Sequence, residues 1–288
     1  MSALNADKGG YLLMTDVNSG HITHINPNLD VSFMENLYWV VSDTIALAKR
    51  SLLKVVRIPE SLFFSTIQPI MFVLLFRYVF GGAIHVPGVS YVNYLIPGIF
   101  VQTVAFGAVN TSIGLSEDLQ KGIIERFRAL PMARSAVLVG RTIADLVRNF
   151  FVMIIITVVG FLVGFSIKTG VVDFLVGVGI ILLFSYSLSW GFAVIGLFAP
   201  NSETAQVMSF PLLFPLTFAS SAFVPVASMP GWLQGYANHQ PVSVVVDAAR
   251  ALMVGGPVAW PLEQSLMWIA GIIVVLAPLA VHRYRKVV

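Results

Sequence analysis

The chain has 288 residues, of which 57% are hydrophobic and only 11% charged; 17 basic and 14 acidic residues give a formal net charge of +3, and there is no cysteine. Soluble domains carry about 25% charged residues, so this composition cannot furnish a water-facing surface, and the apolar excess, with a mean hydropathy of +0.85, must face lipid. The lack of cysteine excludes disulfides, thiolate metal sites, iron–sulfur clusters and thiol nucleophiles, and no basic block interleaved with aromatics points to nucleic acid.

Residues 1–34 are polar and rich in Gly and Asn, with neither a basic stretch leading into an apolar core nor a small-residue cleavage site, and read as a poorly ordered cytoplasmic tail. His21 and His24 sit three apart without a third ligand nearby and read as solvated tail residues. Over 35–60 the pattern becomes helical and two-faced. Asp43, Arg50, Lys54 and Arg57 share one side, and Val41, Ile45, Leu52 and Val56 the other, as expected for a helix lying on anionic headgroups or against a partner subunit.

Residues 61–288 form one membrane domain. Six apolar stretches, each near the roughly 20 residues of a bilayer crossing, are expected at Ser61–Phe80, Tyr94–Leu115, Ile143–Phe165, Val172–Phe198, Gln206–Pro225 and Ser265–His282. The fifth contains Pro211 and Pro215 and is expected to be kinked or broken. The fold expected is therefore an all-α integral membrane protein: six transmembrane helices, a cytoplasmic amphipathic surface helix at the N-terminal side, and a re-entrant outer segment before the last span. With both termini inside, five cations fall in the tail and surface helix, five between spans two and three (Lys121, Arg126, Arg128, Arg134, Arg141) and three at the C-terminus, while only Lys168 and Arg250 fall outside. Arg77 and Arg148 lie within spans near their ends, where they can snorkel.

Catalytic chemistry lacks its residues. There is no HExxH, no GxSxG, and His85 and His239 have no ligand partners at helical spacing. Asp145 and Asp247 fall on opposite membrane sides in this topology and cannot form an acid–base pair. No glycine is followed directly by lysine, so no GxxxxGK[ST] phosphate loop exists, and any ATP chemistry belongs to another polypeptide.

Residues 116–141, SEDLQKGIIERFRALPMARSAVLVGR, concentrate charge in a charge-poor chain. They read as a short helix on the membrane face, with Ser116 as N-cap, Glu117 and Asp118 in its first turn, Arg126 and Arg128 near its end and Pro131 as its stop. Either a solvated positive-inside loop or a docking element for a soluble motor fits this pattern. Asp145 and Arg148 are three apart on one face and read as a structural ion pair rather than a proton relay. Gly160 and Gly164 form a small-xxx-small pair that would allow close helix approach. The outer segment 225–261 is too irregular to face lipid unsupported; Trp232 and Tyr236 suit an interfacial belt, and Pro241–Met253 reads as a short amphipathic helix carrying Asp247 and Arg250.

These residues resemble a known family. GIIERFRALPMARSAVLVGR running into TIADLVRN resembles the cytoplasmic coupling region of ATP-binding-cassette type-2 permeases of the daunorubicin-resistance-like branch. FVPVASMPGWLQGYANHQPVSVVVDAARALMVGG and RIPESLFFSTIQPIMFVLLFRYVFG are similar to that branch's last outer segment and first span, so the likeness runs from about Arg57 to the C-terminus. It implies a homo- or heterodimer of six-span subunits, each resting on a separate nucleotide-binding ATPase that holds the ATP and Mg, with no cofactor on this chain. It also implies that Glu117, Asp118, Gly122, Glu125, Arg126, Arg128, Leu130 and Pro131 form the coupling element, that the surface helix meets the ATPase, and that spans one, two and five line the pathway. The few charges within spans suggest a hydrophobic or amphipathic cargo, drug or lipid-like; a polysaccharide-exporting permease and an ion-coupled transporter are the alternatives.

Overall fold

The computed structural model describes residues 3–6, 12–15, 22–25, 59–84, 86–122 and 134–287. The surface-helix residues Asp43, Arg50, Lys54 and Arg57, and the loop residues Glu125, Arg126, Arg128, Leu130 and Pro131, lie outside them. Two compact units are distinguished, Met1–Val41 and Ser42–Val288.

The first unit, read from the sequence as a poorly ordered polar tail, holds strands. Three short strands, β1 (Ala3–Ala6), β2 (Leu12–Thr15) and β3 (Ile22–Ile25), pair antiparallel in the order β1-β2-β3, with Ala3 opposite Thr15 and Leu12 opposite Ile25. The sequence places Gly9-Gly10 and Asn18-Ser19-Gly20 between these apolar runs, and such residue types are what hairpin connections demand. The all-α description belongs to the second unit.

That unit holds eight described helices. α1 (Pro59–Leu74) continues as a π-helical stretch to Phe80; α2 spans Tyr91–Gln120, α3 Arg134–Leu162, α4 Val171–Phe198 and α5 Ser202–Phe218. A 3₁₀ turn at Val226–Ser228, α6 (Gly231–His239) and α7 (Pro241–Val254) lead to α8 (Ala259–Val287). Among the described residues, four stretches are long and apolar enough to cross a membrane: 91–120, 138–162, 171–198 and 259–286. α1 with its π extension is apolar but shorter, and α5 has 17 residues, running through Pro211 and Pro215 and stopping at Phe218 rather than Pro225.

α2 is the axle, packed on α4, α5, α3 and α7, while α8 lies outside on α4 and α7. In the most apolar 18-residue stretch of α2, 89% is buried, against 17% in α8, so α8 presents its Leu266, Met267, Val274 and Val275 face outward, as does α3 with Phe151, Ile154, Val158 and Leu162. Apolar side chains exposed along whole helices are what a lipid solvent requires. The close approach expected of Gly160 and Gly164 is found elsewhere. Gly164 lies beyond the end of α3 with φ +100°, and a Cβ on Gly160 would meet only ordinary contacts, whereas one on Gly196 of α4 would stand 2.6 Å from the Ser112 carbonyl oxygen of α2. Backbone contact at that point lets α2 and α4 pack at a distance no larger residue permits.

α7 forms where the short helix Pro241–Met253 is expected, one residue longer. Val242–Val246, Ala248, Ala249 and Ala251–Val254 are all buried against α4, α8 and α2, and Asp247 and Arg250 lie on its less buried side. Its start is fixed by Pro241 in the first turn and by the Gln240 side-chain oxygen, which accepts from the Val242 amide at 3.0 Å. Trp232, 80% exposed, and Trp260 project from the flanking segments.

Candidate functional site

Half-way along α1, α2, α3 and α5, the four helices part around a cavity of about 420 Å3. Pockets for drug-sized ligands run roughly 300–1,000 Å3. α1 contributes Gln68 and Phe72, α2 Gln102, Phe106 and Asn110, α3 Arg148 and Asn149, and α5 Gln206 and Phe210. Five carboxamides and one guanidinium therefore meet three phenyl rings where an all-apolar packing would be the cheapest filling for a membrane core. Polar groups within membrane-spanning helices are expensive and mark functional sites.

The wall on α3 is rigid. Arg148 Nη1 lies 2.9 Å from Asp145 Oδ1 and Nη2 donates to the Gly107 carbonyl at 2.8 Å; the Thr111 hydroxyl donates to Asp145 Oδ2 at 2.5 Å. Asn149 Nδ2 donates to the Ser185 hydroxyl of α4 at 2.7 Å. Both charged residues are buried. Gln68, Gln102 and Gln206, by contrast, make no hydrogen bond among the described residues, although Gln102 is only 3% exposed.

From the cavity a continuous run of phenyl rings leads along the ends of α1 and α5. Phe106 meets Phe214 at 6.0 Å between centroids, Phe210 meets Phe214 at 5.6 Å, Phe214 meets Phe218 at 5.3 Å and Phe218 meets Phe223 at 5.5 Å. On α1, Phe72 and Phe76 stack at 6.0 Å, Phe76 reaches Phe80 at 5.2 Å, and Phe76 stacks on Phe223 at 4.5 Å. The signal is present in the sequence as two runs of phenylalanine at every fourth position, 72/76/80 and 210/214/218, a spacing that lines up one helix face. These rings and the three glutamines are not among the candidates read from the sequence, since a phenylalanine stripe in an apolar span looks like any lipid-facing or core stripe.

Beyond the rings, the bend between α5 and α6 is held by α2 and α7. Tyr91 and Tyr94 hydroxyls donate to the carbonyls of Phe223 and Ser221 at 3.1 and 2.8 Å. Arg250 of α7 lies 3.6 Å from the centre of the Tyr94 ring and donates to the carbonyls of Tyr94 (3.1 Å) and Ser221 (2.8 Å) and to Asp247 (2.7 Å).

At the opposite end of α2 the geometry revises the coupling segment. Ser116 is no N-cap: α2 runs through it to Gln120, and the Ser116 hydroxyl donates to the Ala199 carbonyl at 3.4 Å. Glu117 and Asp118 consequently sit at a helix C-terminus, where the dipole disfavours anions. Cations compensate them: Lys121 Nζ is 3.5 Å from Glu117, and Arg141 of α3 is 3.0 Å from Asp118. Gly122, with φ +61°, takes the left-handed position that ends a helix and turns the chain away. Glu117, Asp118 and Gly122 are thus brought together at one end of α2, while Asp145 and Arg148 stand apart from them at the cavity. No group of three or more His, Asp or Glu residues suited to a metal occurs among the described residues.

Comparison with known proteins gives this arrangement a class. Residues 42–254 match the family described as ABC-2 type transporter, and the chain belongs to it. It is 33% identical over 246 residues to the daunorubicin resistance ABC transporter permease protein DrrB1 of Streptomyces coeruleorubidus, covering 85% of this chain and 87% of that protein. It is 29% identical over 223 residues to the probable doxorubicin resistance ABC transporter permease protein DrrC of Mycobacterium tuberculosis, covering 76% and 80%, and 25% identical to the putative transport permease ycf38 of Cyanophora paradoxa, covering 83% of each. The chain is the membrane-embedded component of a transporter of this class.

Proposed function

We propose that the chain is the permease subunit of an ATP-driven exporter that moves a hydrophobic or amphipathic compound, drug or lipid-like, out of the cytoplasm. The observation that carries this is the cavity at mid-height between α1, α2, α3 and α5, with polar and aromatic walls, in a chain whose relatives are named for resistance to daunorubicin and doxorubicin. A polar chamber at the depth of lipid tails has no structural purpose for a scaffold, and a transported amphipath needs one.

In this reading α1 to α5 and α8 make six spans, with α1 and the proline-bearing α5 as the two short ones, and α6 and α7 re-enter from the outer side. Both termini are cytoplasmic. Two permeases, identical or not, pair with the exposed parts of α1 and α5 turned toward the shared pathway, and each rests on a separate ATPase subunit that binds ATP and Mg. This chain binds no cofactor. Hydrolysis reaches the membrane through the inner end of α2 and the loop after it: Glu117, Asp118, Gly122, Glu125, Arg126, Arg128, Leu130 and Pro131, together with the surface helix bearing Asp43, Arg50, Lys54 and Arg57. The Asp118–Arg141 ion pair makes α2 and α3 respond together to a push at that loop.

Reversing Glu125 and Arg126 together (Glu125→Arg with Arg126→Glu) is expected to weaken ATPase docking without unfolding the permease. Recovery of the ATPase on the tagged chain and its stimulated hydrolysis should both fall; unchanged recovery and unchanged hydrolysis would refute the coupling role.

A further inference from the structure

The C-terminal end of α8 carries cations that the fold leaves without counter-charge. At the neighbouring ends of α2 and α3, Lys121 and Arg141 are met by Glu117 and Asp118. Arg283, Arg285 and Lys286 of α8 meet no acidic side chain among the described residues, and the last two are exposed in the final turn. A helix C-terminus favours cations, and Arg285 and Lys286 need no more explanation than that.

Arg283 is placed differently. Its guanidinium reaches across to α4 and lies 4.4 Å from the centre of the ring of Phe198, the last residue of that helix. Nε is enclosed without a hydrogen-bond partner; Nη1 and Nη2 make no hydrogen bond among the described residues either, but they are not enclosed. The stem is therefore held, and the two-pronged Nη edge is the part left to bind, a fork that matches the paired oxygens of a phosphate. A donor edge already fixed against a ring loses little further freedom when a ligand arrives. Beneath it, Trp190, Leu197, Ala280 and Tyr284 pack into one buried cluster that joins α4 to α8.

An apolar track leads away from this fork. Val275, Leu279 and Arg283 recur at every fourth position and so share one face of α8; Val275 and Leu279 are exposed, and Phe198 beside them is 54% exposed. Phosphate-binding cations followed by an exposed apolar track reproduce the order of groups in a phospholipid, headgroup first and acyl chains behind. A soluble anion or a docked protein would engage the cations and leave the track, which runs on into the membrane, unused.

We propose that the C-terminal end of α8, with Phe198 of α4, is a binding site for an anionic glycerophospholipid. The Nη edge of Arg283 takes its phosphate, Arg285 and Lys286 add attraction, and its acyl chains lie along Leu279, Val275 and Phe198. Phosphatidylcholine carries the same phosphate but brings a quaternary ammonium up to three cations, so it is disfavoured. With the termini cytoplasmic the lipid is one of the inner leaflet, where anionic headgroups meet such clusters; the site itself depends neither on that orientation nor on export.

The test is a titration of the full-length chain in mild detergent, followed by native mass spectrometry, with dioleoylphosphatidylglycerol, dioleoylphosphatidylcholine and glycerol 3-phosphate. One phosphatidylglycerol should bind ahead of any further lipid and about ten-fold more tightly than phosphatidylcholine. Glycerol 3-phosphate, the same headgroup chemistry without chains, should bind more than about a hundred-fold more weakly than phosphatidylglycerol. Arg283→Lys keeps the charge but loses the fork and the stacking, and should weaken phosphatidylglycerol binding by about five-fold, which a purely electrostatic cluster would not show. Phe198→Leu keeps an apolar side chain and removes the ring under the guanidinium; it should weaken the same lipid by about two- to five-fold, and it carries the test should Arg283→Lys fold poorly. Equal affinity for the two lipids, a phosphatidylglycerol preference untouched by both substitutions, or glycerol 3-phosphate bound as tightly as the lipid would each overturn the proposal. So would loss of a co-purifying protein, with lipid binding intact, from the Arg283→Lys chain, since that result assigns the cations to a protein partner.

Discussion

Arg148→Met is expected to destabilise the permease by about 3–5 kcal/mol, enough to remove most folded protein from a detergent extract. Met keeps the apolar stem of the side chain and drops the guanidinium; the larger change is that the Asp145 carboxylate loses its 2.9 Å partner while remaining enclosed by α2, α3 and the Thr111 hydroxyl. An unpaired charge there can be relieved only by protonation or by opening the helix pair. The Gly107 carbonyl loses its donor as well. Asp145→Asn alone should be damaging for the mirror reason. The double variant Asp145→Asn/Arg148→Met, with no charge left to desolvate, should recover most of the loss, because two matched neutral groups replace a broken pair. Thermal unfolding of the three variants in one detergent measures this. A single Arg148→Met variant as stable as the parent, or a double variant no better than the singles, would show that the pair carries no structural weight.

The second large effect is expected at Arg250. Its guanidinium does four things at once, covering the Tyr94 ring at 3.6 Å, donating to two backbone carbonyls and meeting Asp247. The ion pair is the least of these, since the Asp247 side chain is 44% exposed and solvent screens it. The ring and the carbonyls are the larger part, because they bind α2, the bend after α5 and α7 into one unit at a point where Ser221 is also tied to Ser243 and Asp247. Arg250→Ala should therefore lose about 2–4 kcal/mol and sharply increase amide exchange at Ser221 and Ala222, while Asp247→Asn should lose less than about 1 kcal/mol. Arg250→Lys should resemble Arg250→Ala more than the parent, since an ammonium can meet Asp247 but cannot stack on Tyr94 and reach two carbonyls together. Equal effects of Arg250→Ala and Asp247→Asn would mean that the ion pair, not the stacked fork, holds the outer bend.

The long apolar runs and the distribution of Lys and Arg are legible in the sequence because lipid imposes a single requirement over some 20 residues, and α4 starts within one residue of the expected Val172–Phe198 and ends with it. Family membership is legible in the ordered charged and outer segments, which are too particular to arise from hydrophobicity alone. Local signals mislead where two elements compete for the same residues. Ser116, Glu117 and Asp118 have the composition of a helix start, yet the apolar register of α2 carries the helix through them, and Lys121 and Arg141 offset the adverse dipole. The helix at Pro241–Met253 is legible from its pattern, whereas the depth of its packing is not: Ala248, Ala249 and the valines before them are small enough to pack closely against α4 and α8. The strands of the first unit escape a reading by pattern because four-residue runs carry too little periodicity to stand out. The cavity is invisible in the sequence for a different reason: Gln68, Gln102, Asn149 and Gln206 are spread over some 140 residues, and only the folding together of four helices makes them neighbours.

If this chain works as the membrane half of an ATP-driven exporter whose motor is another polypeptide, the most direct measurement is ATP hydrolysis by material purified through a tag on this chain from its native host. It is made in mild detergent and then in lipid nanodiscs, with every co-purifying polypeptide identified. A soluble ATPase should come with the permease, hydrolyse ATP, and be released or silenced by the Glu125/Arg126 reversal. Intact, folded permease that carries no companion and supports no hydrolysis in any of these conditions would contradict that role.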